Sequence, residues 1–302
     1  MVRVSVPGKV ILMGDHAAVY GKPGLIAAIN KRLTVSIEPH KTFQVISGEP
    51  SQYVRHAVET VVSHYKIGDI PKIRITVASG IPPGYHLGSS AAVAVATVGA
   101  CMYFFKKIWN PAVINQLAYE VEKYIHKTPS GVDNTAITFG GFLWYRKELE
   151  FLRSFWRLPL KIPSTLNHFH LIDTGRPKEN TGEMVALVRQ QFTIHHSQFR
   201  KLFDENEEQT KRIAVALKEG DEKILIDAIQ KGERTLEGVG VVSKKVTPLI
   251  RSIEQSGGAA KILGGGGRTD GAGYLLCYSH HPPKGSIPIS LGEEGIRLEN
   301  KI

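Results

Sequence analysis

The stretch ITVASGIPPGYHLGSSAAVAVA, residues 75–96, carries the strongest local pattern in the chain. Residues 75–77 are apolar and β-branched, which is typical of the end of a strand. Residues 79–84 contain two glycines and two prolines and therefore predict a turn. From position 89 onward the chain is a run of alanine and valine with few polar side chains, which predicts a buried helix.

This loop and helix together form a candidate anion site. A glycine-containing loop that leads into a helix offers free backbone N–H groups and the positive end of the helix dipole, and both can bind phosphate. The alternative is that Ser89 or Ser90 only caps a core helix. The local sequence leaves both readings open, but it excludes the Walker A pattern, because no lysine follows the glycines at the required spacing.

Composition indicates a globular protein of one large domain or two ordinary ones. The chain has 302 residues, of which 42% are hydrophobic and 22% charged, enough to bury a sizeable core. Cys101 and Cys277 match no metal or disulfide spacing, so we expect reduced core cysteines in an intracellular protein. No secretory signal or membrane span is apparent, and we expect a cytoplasmic protein without a membrane partner.

The net charge of +10 suggests anionic ligands or a general surface charge. A nucleic-acid partner would favour basic residues that cluster with aromatic ones on one face. Lysine and arginine are instead scattered along the chain, so we expect no nucleic-acid partner.

Elsewhere the first half of the chain predicts strands followed by helices. Four short strands are predicted at residues 2–6, 10–13, 25–29 and 33–37, with a Pro7–Gly8 turn between the first two. Apolar spacing predicts an amphipathic helix over 50–66, and Pro111 opens another. This part of the chain therefore predicts an α+β fold.

The proline-bounded stretch 159–163 is the candidate domain boundary. Beyond it the pattern predicts a strand, a long helical region with helix ends at Gly220 and at residues 238–240, and two strands that flank a glycine run. These elements lie at residues 169–173, 181–256, 259–263 and 274–278.

Three polar clusters could carry chemistry: Lys9 with Asp15 and His16, the loop 84–90, and Glu122 with Asp133. A carboxylate set by a Pro-Ser-Gly turn, as Asp133 is, can be a general base, a metal ligand or a helix cap, and the residues alone favour the cap. By the same reasoning, His16 considered alone is better explained as a structural histidine, and Lys9 considered alone is better explained as a solvated residue at a turn.

Three motifs resemble the GHMP kinase superfamily in order and spacing. They read PGKVILMGDHAAVYGKP (7–23), IPPGYHLGSSAA (81–92) and HKTPSGVDN (126–134), and the first is most similar to the mevalonate kinases. Residues 171–190 also resemble the start of that family's C-terminal domain. The resemblance implies an α+β, two-domain GHMP kinase fold. Its ATP-binding N-terminal domain, ribosomal-protein-S5-like, would span residues 1–160, and a ferredoxin-like domain with extra helices would span residues 161–302.

The resemblance also implies roles for individual residues. Asp133 would take the proton of the substrate hydroxyl, with Lys9 beside it. Ser90 and Glu122 would bind Mg²⁺, for which hydroxyl and carboxylate oxygens are suitable ligands. Asp15, His16 and Thr181 would face the substrate. The loop around the ATP phosphates would comprise Pro83, Gly84, Tyr85, His86, Leu87, Gly88, Ser89 and Ser90.

The sequence departs from the family pattern at several of these positions. Asp15 stands where the family usually has the longer Glu, and Tyr85 and His86 replace small residues in the phosphate loop. A further family motif corresponds to KILGGGGRTDGAG (261–273), which has Leu263 in place of a hydroxyl residue. It also contains Arg268, which could contact a phosphate or remain a solvated loop charge.

The implied activity is transfer of the γ-phosphate of Mg·ATP to the primary hydroxyl of mevalonate, in isoprenoid-precursor synthesis. Alternatives are a GHMP kinase for another small alcohol (phosphomevalonate, homoserine, a sugar, or the tertiary hydroxyl of mevalonate) or, less favoured, a related decarboxylase. A non-catalytic nucleic-acid-binding or regulatory protein on the same fold is a further alternative. Because family members are often dimers, a homodimer is also expected.

Overall fold

The first half of the chain builds a mixed seven-stranded sheet in the computed structural model, which describes residues 1–48, 50–127, 129–149 and 152–299. Its centre is a long antiparallel hairpin of two strands. Short strands pair with each half of the second of these, and the last strand of the chain pairs with the first. The strands are β1 (Val2–Met13), β2 (Pro23–Pro39), β3 (Gln44–Ile46), β4 (Ile73–Ser79), β5 (Phe142–Lys147) and β6 (Arg153–Leu158).

The prediction of four short strands in this region is wrong, because β1 and β2 are continuous. Pro7 pairs with Arg32 and Gly8 pairs with Ile29, so that two residues of β2, 30 and 31, form an irregularity opposite the proline. A bulge of this kind accommodates a proline without ending the strand. The true turn is the tip of the hairpin, residues 14–22, which includes a short 3₁₀ helix at Ala17–Tyr20.

Within the described residues, four helices accompany this sheet: α1 (Ser51–His64), α2 (Ser89–Lys106), α3 (Pro111–His126) and α4 (Val132–Phe139). The predicted helices at 50–66, from 89 and from 111 are thereby confirmed. The start of α3 follows from its sequence, since the Asn110 side chain accepts hydrogen bonds from two backbone amides and Pro111 occupies the first turn.

Helix α2 has apolar side chains on all of its faces, and neighbouring elements enclose it. It packs against β1 and β2 on one side and against α1 and α3 on the other. It is long and apolar enough to cross a membrane by composition, but 72% of its length is buried inside the protein. The run of alanine and valine therefore forms a core helix, as the sequence predicts.

The second half of the chain forms an antiparallel four-stranded sheet with helices against it. Its elements are β7 (Phe169–Asp173), α5 (Thr181–Ile194), α6 (His196–Glu219), α7 (Glu222–Gly238), α8 (Thr247–Gln255), β8 (Ala259–Ile262), β9 (Tyr274–Tyr278) and β10 (Ile287–Pro288). The predicted strands and helical region are confirmed, including helix ends near Gly220 and Gly238. The two halves share one large hydrophobic core that contains residues of both sheets.

The end of the chain returns to the first sheet. β11 (Arg297–Leu298) pairs with β1, and single bridges join Leu291 to Ile29 and Glu294 to Gly140. The domain boundary between residues 160 and 161 stays a prediction. The last segment lies beyond that boundary in the sequence, but it packs with the N-terminal half.

We predict that this return depends on Gly295. A Cβ there would lie 2.2 Å from the Thr138 carbonyl oxygen, whereas one at Gly48 would meet no described atom within 4 Å. Gly295→Ala should therefore lower the free energy of unfolding by about 2 kcal/mol, and Gly48→Ala should change it by about 0.5 kcal/mol or less. Urea unfolding of both variants measures this, and equal effects would contradict the tight packing of the return segment.

Candidate active site

Lys9 and Asp133 meet at the centre of the candidate site. Lys9 lies where β1 is irregular, and its backbone N–H donates to the Leu87 carbonyl oxygen at 3.0 Å, which ties the strand to the loop before α2. Its side chain is buried, and Nζ lies 2.9 Å from Asp133 Oδ1. Asp133 sits in the first turn of α4, where the helix dipole favours a negative charge. Its side chain is 38% exposed, so the carboxylate remains open to a ligand.

The loop before α2 ends in a glycine at the start of the helix. The N-cap residue of α2 is Gly88, with φ of 79°, and no side-chain hydrogen bond caps the helix among the described residues. Ser89 and Ser90 lie inside the first turn. The alternative that one of these serines caps the helix is therefore wrong, and the amides of the first turn point towards the loop.

Ser90 and Glu122 lie beside this helix start. Ser90 Oγ is 3.4 Å from Glu122 Oε2 and 3.3 Å from His126 Nε2, and the Tyr53 hydroxyl donates to Glu122 Oε1. Burial raises the pKa of Glu122 and the Asp133 charge adds to this rise, while the hydrogen bond from Tyr53 and the nearby His126 oppose it. A bound cation would stabilise the ionised carboxylate against burial and the Asp133 charge.

The donor set fits Mg²⁺ in particular. One carboxylate and one hydroxyl are hard oxygen ligands, and Mg²⁺ commonly binds one or two protein oxygens while waters and phosphates complete its shell. Among the described residues no group of three or more His, Cys, Asp or Glu side chains could hold a metal ion by itself. The site therefore suits a cation that arrives with a phosphate ligand.

The two bulky residues of the loop pack against the second half of the chain. The Tyr85 ring lies 4.8 Å from the Tyr274 ring. His86 Nδ1 lies 3.4 Å from Thr181 Oγ1, at the start of α5, and a Cβ on Gly264 would lie 2.7 Å from the His86 side chain. These residues thus join the loop to α5, β9 and the glycine run.

Asp15 and His16 lie at the tip of the β1–β2 hairpin. Asp15 Oδ2 is 2.6 Å from Lys261 Nζ, and Oδ1 accepts a hydrogen bond from Gly264 N at 2.8 Å. Both charged side chains are fully buried. The resemblance implied that Asp15 faces the substrate, but both of its oxygens are engaged here, so its geometry suits holding the glycine run in place.

His16 contacts the same glycine run, since its Nε2 lies 3.2 Å from the Gly265 carbonyl oxygen. Burial lowers the pKa of His16, and the Asp15 charge opposes this shift. At neutral pH the His16 ring is therefore favoured in its uncharged form.

Four residues near the site were missed by sequence reasoning: Tyr53, Arg176, Glu233 and Lys261. The signal for Lys261 was present, because a lone lysine in the apolar strand β8 must find a buried partner. Arg176 lies over the loop before α2, where a Cβ on Gly84 would be 3.0 Å from its Nε. Tyr53 comes from α1 and Glu233 from α7, and no local pattern indicates either.

Arg268 is exposed and lines a groove with side chains of α5 and α6. Its backbone N–H donates to Glu179 Oε2 at 3.2 Å. Its neighbour Asp270 pairs with Lys178 and Lys245. The surroundings of Arg268 thus favour a solvated loop charge over a phosphate ligand.

Comparison with known proteins gives consistent matches. Residues 52–141 match the family model described as GHMP kinases N terminal domain. A mevalonate kinase of Archaeoglobus fulgidus is 33% identical over 305 residues, which cover 98% of this chain and 99% of the relative.

Solved structures with the same fold include two mevalonate kinases. The Methanococcus jannaschii enzyme superposes with a TM-score of 0.78 at 21% identity and covers 99% of this chain and 98% of its own. The structure of L. major mevalonate kinase in complex with R-mevalonate superposes with a TM-score of 0.76 at 23% identity and covers 92% of this chain and 86% of its own. At these identities the structures establish the α+β fold.

We predict a pH-dependent stability that Glu233 controls. The Glu233 side chain is fully buried, and burial raises its pKa from an ordinary 4.5 to about 8. The folded state therefore keeps a proton that the unfolded state loses, so this carboxyl's contribution to stability declines as pH rises from about 4.5 to about 8.

Glu233→Gln removes that proton binding and should keep an acceptor for Ile262 N. The difference in free energy of unfolding, Glu233→Gln minus wild type, should increase by up to ~1.4 kcal/mol per pH unit and level off above pH 8. Urea unfolding from pH 5 to 9 measures this, with Glu219→Gln at the exposed end of α6 as the matched loss of a carboxyl. A pH slope that is the same in wild type and Glu233→Gln would contradict the assignment.

Proposed function

Because this chain belongs to the mevalonate kinases of the GHMP kinase superfamily, we propose that it transfers the γ-phosphate of ATP to the primary hydroxyl of mevalonate. The observation that carries the proposal is the pair of buried Lys9 and open Asp133 beside the uncapped start of α2. A proton acceptor next to a phosphate cradle is what phosphoryl transfer to an alcohol requires.

In this proposal Asp133 accepts the proton of the attacking hydroxyl. Lys9 Nζ lies 2.9 Å from Asp133 Oδ1, so the lysine holds the carboxylate in place next to the open side of the site. The ammonium of Lys9 would also face the charge that develops on the transferring phosphoryl group. One buried cation would thus interact with both the Asp133 carboxylate and the phosphoryl group.

The phosphates of ATP would bind to residues 83–90 and to the amides of the first turn of α2. Ser90 and Glu122 would hold Mg²⁺, which would neutralise phosphate charge when bound. Arg176, whose guanidinium lies over Gly84, adds a cation on the outer side of the loop. These groups supply positioning and charge stabilisation, which are the main requirements of this reaction.

The acceptor would bind between His16, Thr181 and Asp133. Thr181 is the first residue of α5, so the backbone amides of this helix start can donate to a carboxylate. Asp15 would position the glycine run instead of contacting the acceptor. The net charge of +10 also favours anionic reactants.

We further propose that the protein acts in the cytoplasm as a soluble enzyme of isoprenoid-precursor synthesis, and that it forms a homodimer without nucleic-acid or membrane partners. Support comes from the buried α2 and from the two cysteines, Cys101 and Cys277, which are free and buried. Sedimentation of the purified protein tests the proposed dimer. Salt-dependent binding to a nucleic acid would contradict the proposal that the protein has no nucleic-acid partner.

We predict that Asp133→Asn abolishes turnover while the protein stays folded. Loss of a general base lowers kcat by about 10²–10⁴-fold, and the asparagine oxygen can still accept from Lys9. ADP release with Mg·ATP and mevalonate measures the effect, and thermal unfolding checks stability. Asp227→Asn on the outer face of α7, a matched loss of charge, should retain activity.

The same assay over mevalonate, phosphomevalonate, galactose and homoserine tests the acceptor. We expect turnover with mevalonate, and NMR of the product should show the phosphate on the primary hydroxyl. Full activity of Asp133→Asn would overturn the base assignment. Turnover with another acceptor alone would overturn the proposed substrate but leave the kinase chemistry intact.

A further inference from the structure

His86 stands in the phosphate loop with φ of 62°, a left-handed conformation that non-glycine residues rarely adopt. The family resemblance favours a small residue at this position, and glycine would adopt the conformation without strain. Strained backbone that persists in a loop of this kind is commonly associated with function. The histidine side chain is therefore the feature that needs an explanation.

The His86 ring lies between the loop and the second half of the chain. It packs where a Cβ on Gly264 would collide with it, and its Cδ2 would be 3.5 Å from a Cβ on Gly273. Nδ1 lies 3.4 Å from the hydroxyl of Thr181. Nε2 is buried and has no hydrogen-bond partner among the described residues. Buried polar atoms of this kind are normally satisfied, often by a ligand or water.

The charges around the ring belong to the reaction centre. Burial and the Lys9 charge lower the pKa of His86 to about 4, while Asp15 and Asp133 oppose this shift and His16 adds to it. The ring is therefore neutral at pH 7 and carries one N–H. If the Thr181 hydroxyl donates to Nδ1, that hydrogen lies on Nε2, the atom without a partner.

We propose that the Nε2–H group of His86 binds an anionic oxygen of a reactant held between the loop and the glycine run, and that His86 thereby helps to determine ligand specificity. This inference rests on the proposed kinase function. A neutral donor suits this position because it satisfies an anionic oxygen without adding a second cation next to buried Lys9.

The anionic oxygen could come from the carboxylate of the acceptor or from the terminal phosphate of the nucleotide. The carboxylate of the acceptor is favoured by Thr181, whose hydroxyl lies 3.4 Å from His86 Nδ1 and which lines the proposed acceptor site. The nucleotide is favoured by the position of His86 in the phosphate loop. The shared chemistry is a hydrogen bond from a neutral imidazole to an anionic oxygen.

Steady-state kinetics of two variants provide the first test. His86→Gly keeps the backbone conformation and loses the donor, and it should lower kcat/KM for one reactant by about tenfold to a hundredfold. His86→Asn tolerates a left-handed conformation and retains an N–H donor, so it should recover part of that loss. His64→Asn, at the exposed end of α1, is the matched control and should be unaffected.

The reactant that changes identifies the source of the oxygen. A raised KM for the acceptor alone indicates the carboxylate, and a raised KM for ATP alone indicates the phosphate. Either result supports the proposal. Equal losses in His86→Gly and His86→Asn, with matching losses of thermal stability, would show that the ring only packs the two halves together and would overturn it.

Imidazole NMR provides a readout that packing alone does not move. Mevalonate, Mg·ADP and a non-hydrolysable ATP analogue are added separately to ¹⁵N-histidine-labelled wild-type protein, with His86 assigned by its absence in His86→Asn. One of them should shift the His86 Nε2–H signal while His64 stays fixed. No shift with any of the three would overturn the proposal. If wild type turns over no acceptor, the proposed function fails, but these titrations still decide whether His86 binds an anion.

Discussion

The buried ion pair of Lys261 and Asp15 holds the two halves of the active site together. Lys261 comes from β8 in the second sheet, Asp15 comes from the tip of the β1–β2 hairpin in the first, and both side chains are fully buried. Desolvating two charges is costly unless further hydrogen bonds satisfy them. Here Lys261 Nζ also donates to the Ile11 carbonyl oxygen and Asp15 accepts from Gly264 N, so the pair determines where the glycine run lies.

The second lysine–aspartate pair of the site, Lys9 and Asp133, differs from the first in exposure. This difference distinguishes a candidate catalytic pair from a structural one. Lys9 is buried, but the Asp133 side chain is 38% exposed, so its carboxylate can still meet a hydroxyl group. Asp15 has neither a free oxygen nor access to solvent. Two pairs of the same residue types thus perform different tasks, because only one of them leaves room for a ligand.

The β1–β2 hairpin and helix α2 show why local sequence patterns predicted one element wrongly and the other correctly. Pro7–Gly8 carries the signals of a turn, but these residues face an irregularity in β2, and the strand continues. That compensation lies more than twenty positions away and no local window contains it. In α2, by contrast, the apolar run and the glycine before it act within a few residues of each other, so helix and loop were both predicted correctly.

The sequence by itself determined most of the helices, the strands β4, β7, β8 and β9, the order of the motifs and the family to which the chain belongs. It also predicted site roles for Lys9, Asp133, Ser90 and Glu122, and in the structure Lys9 lies beside Asp133 and Ser90 beside Glu122. Only the tertiary structure decided that Lys261 Nζ and Gly264 N together occupy both carboxylate oxygens of Asp15. The reason is physical: these partners lie up to 249 positions apart. A hydrogen bond between them exists only once the hairpin, the loop and the glycine run have packed against one another.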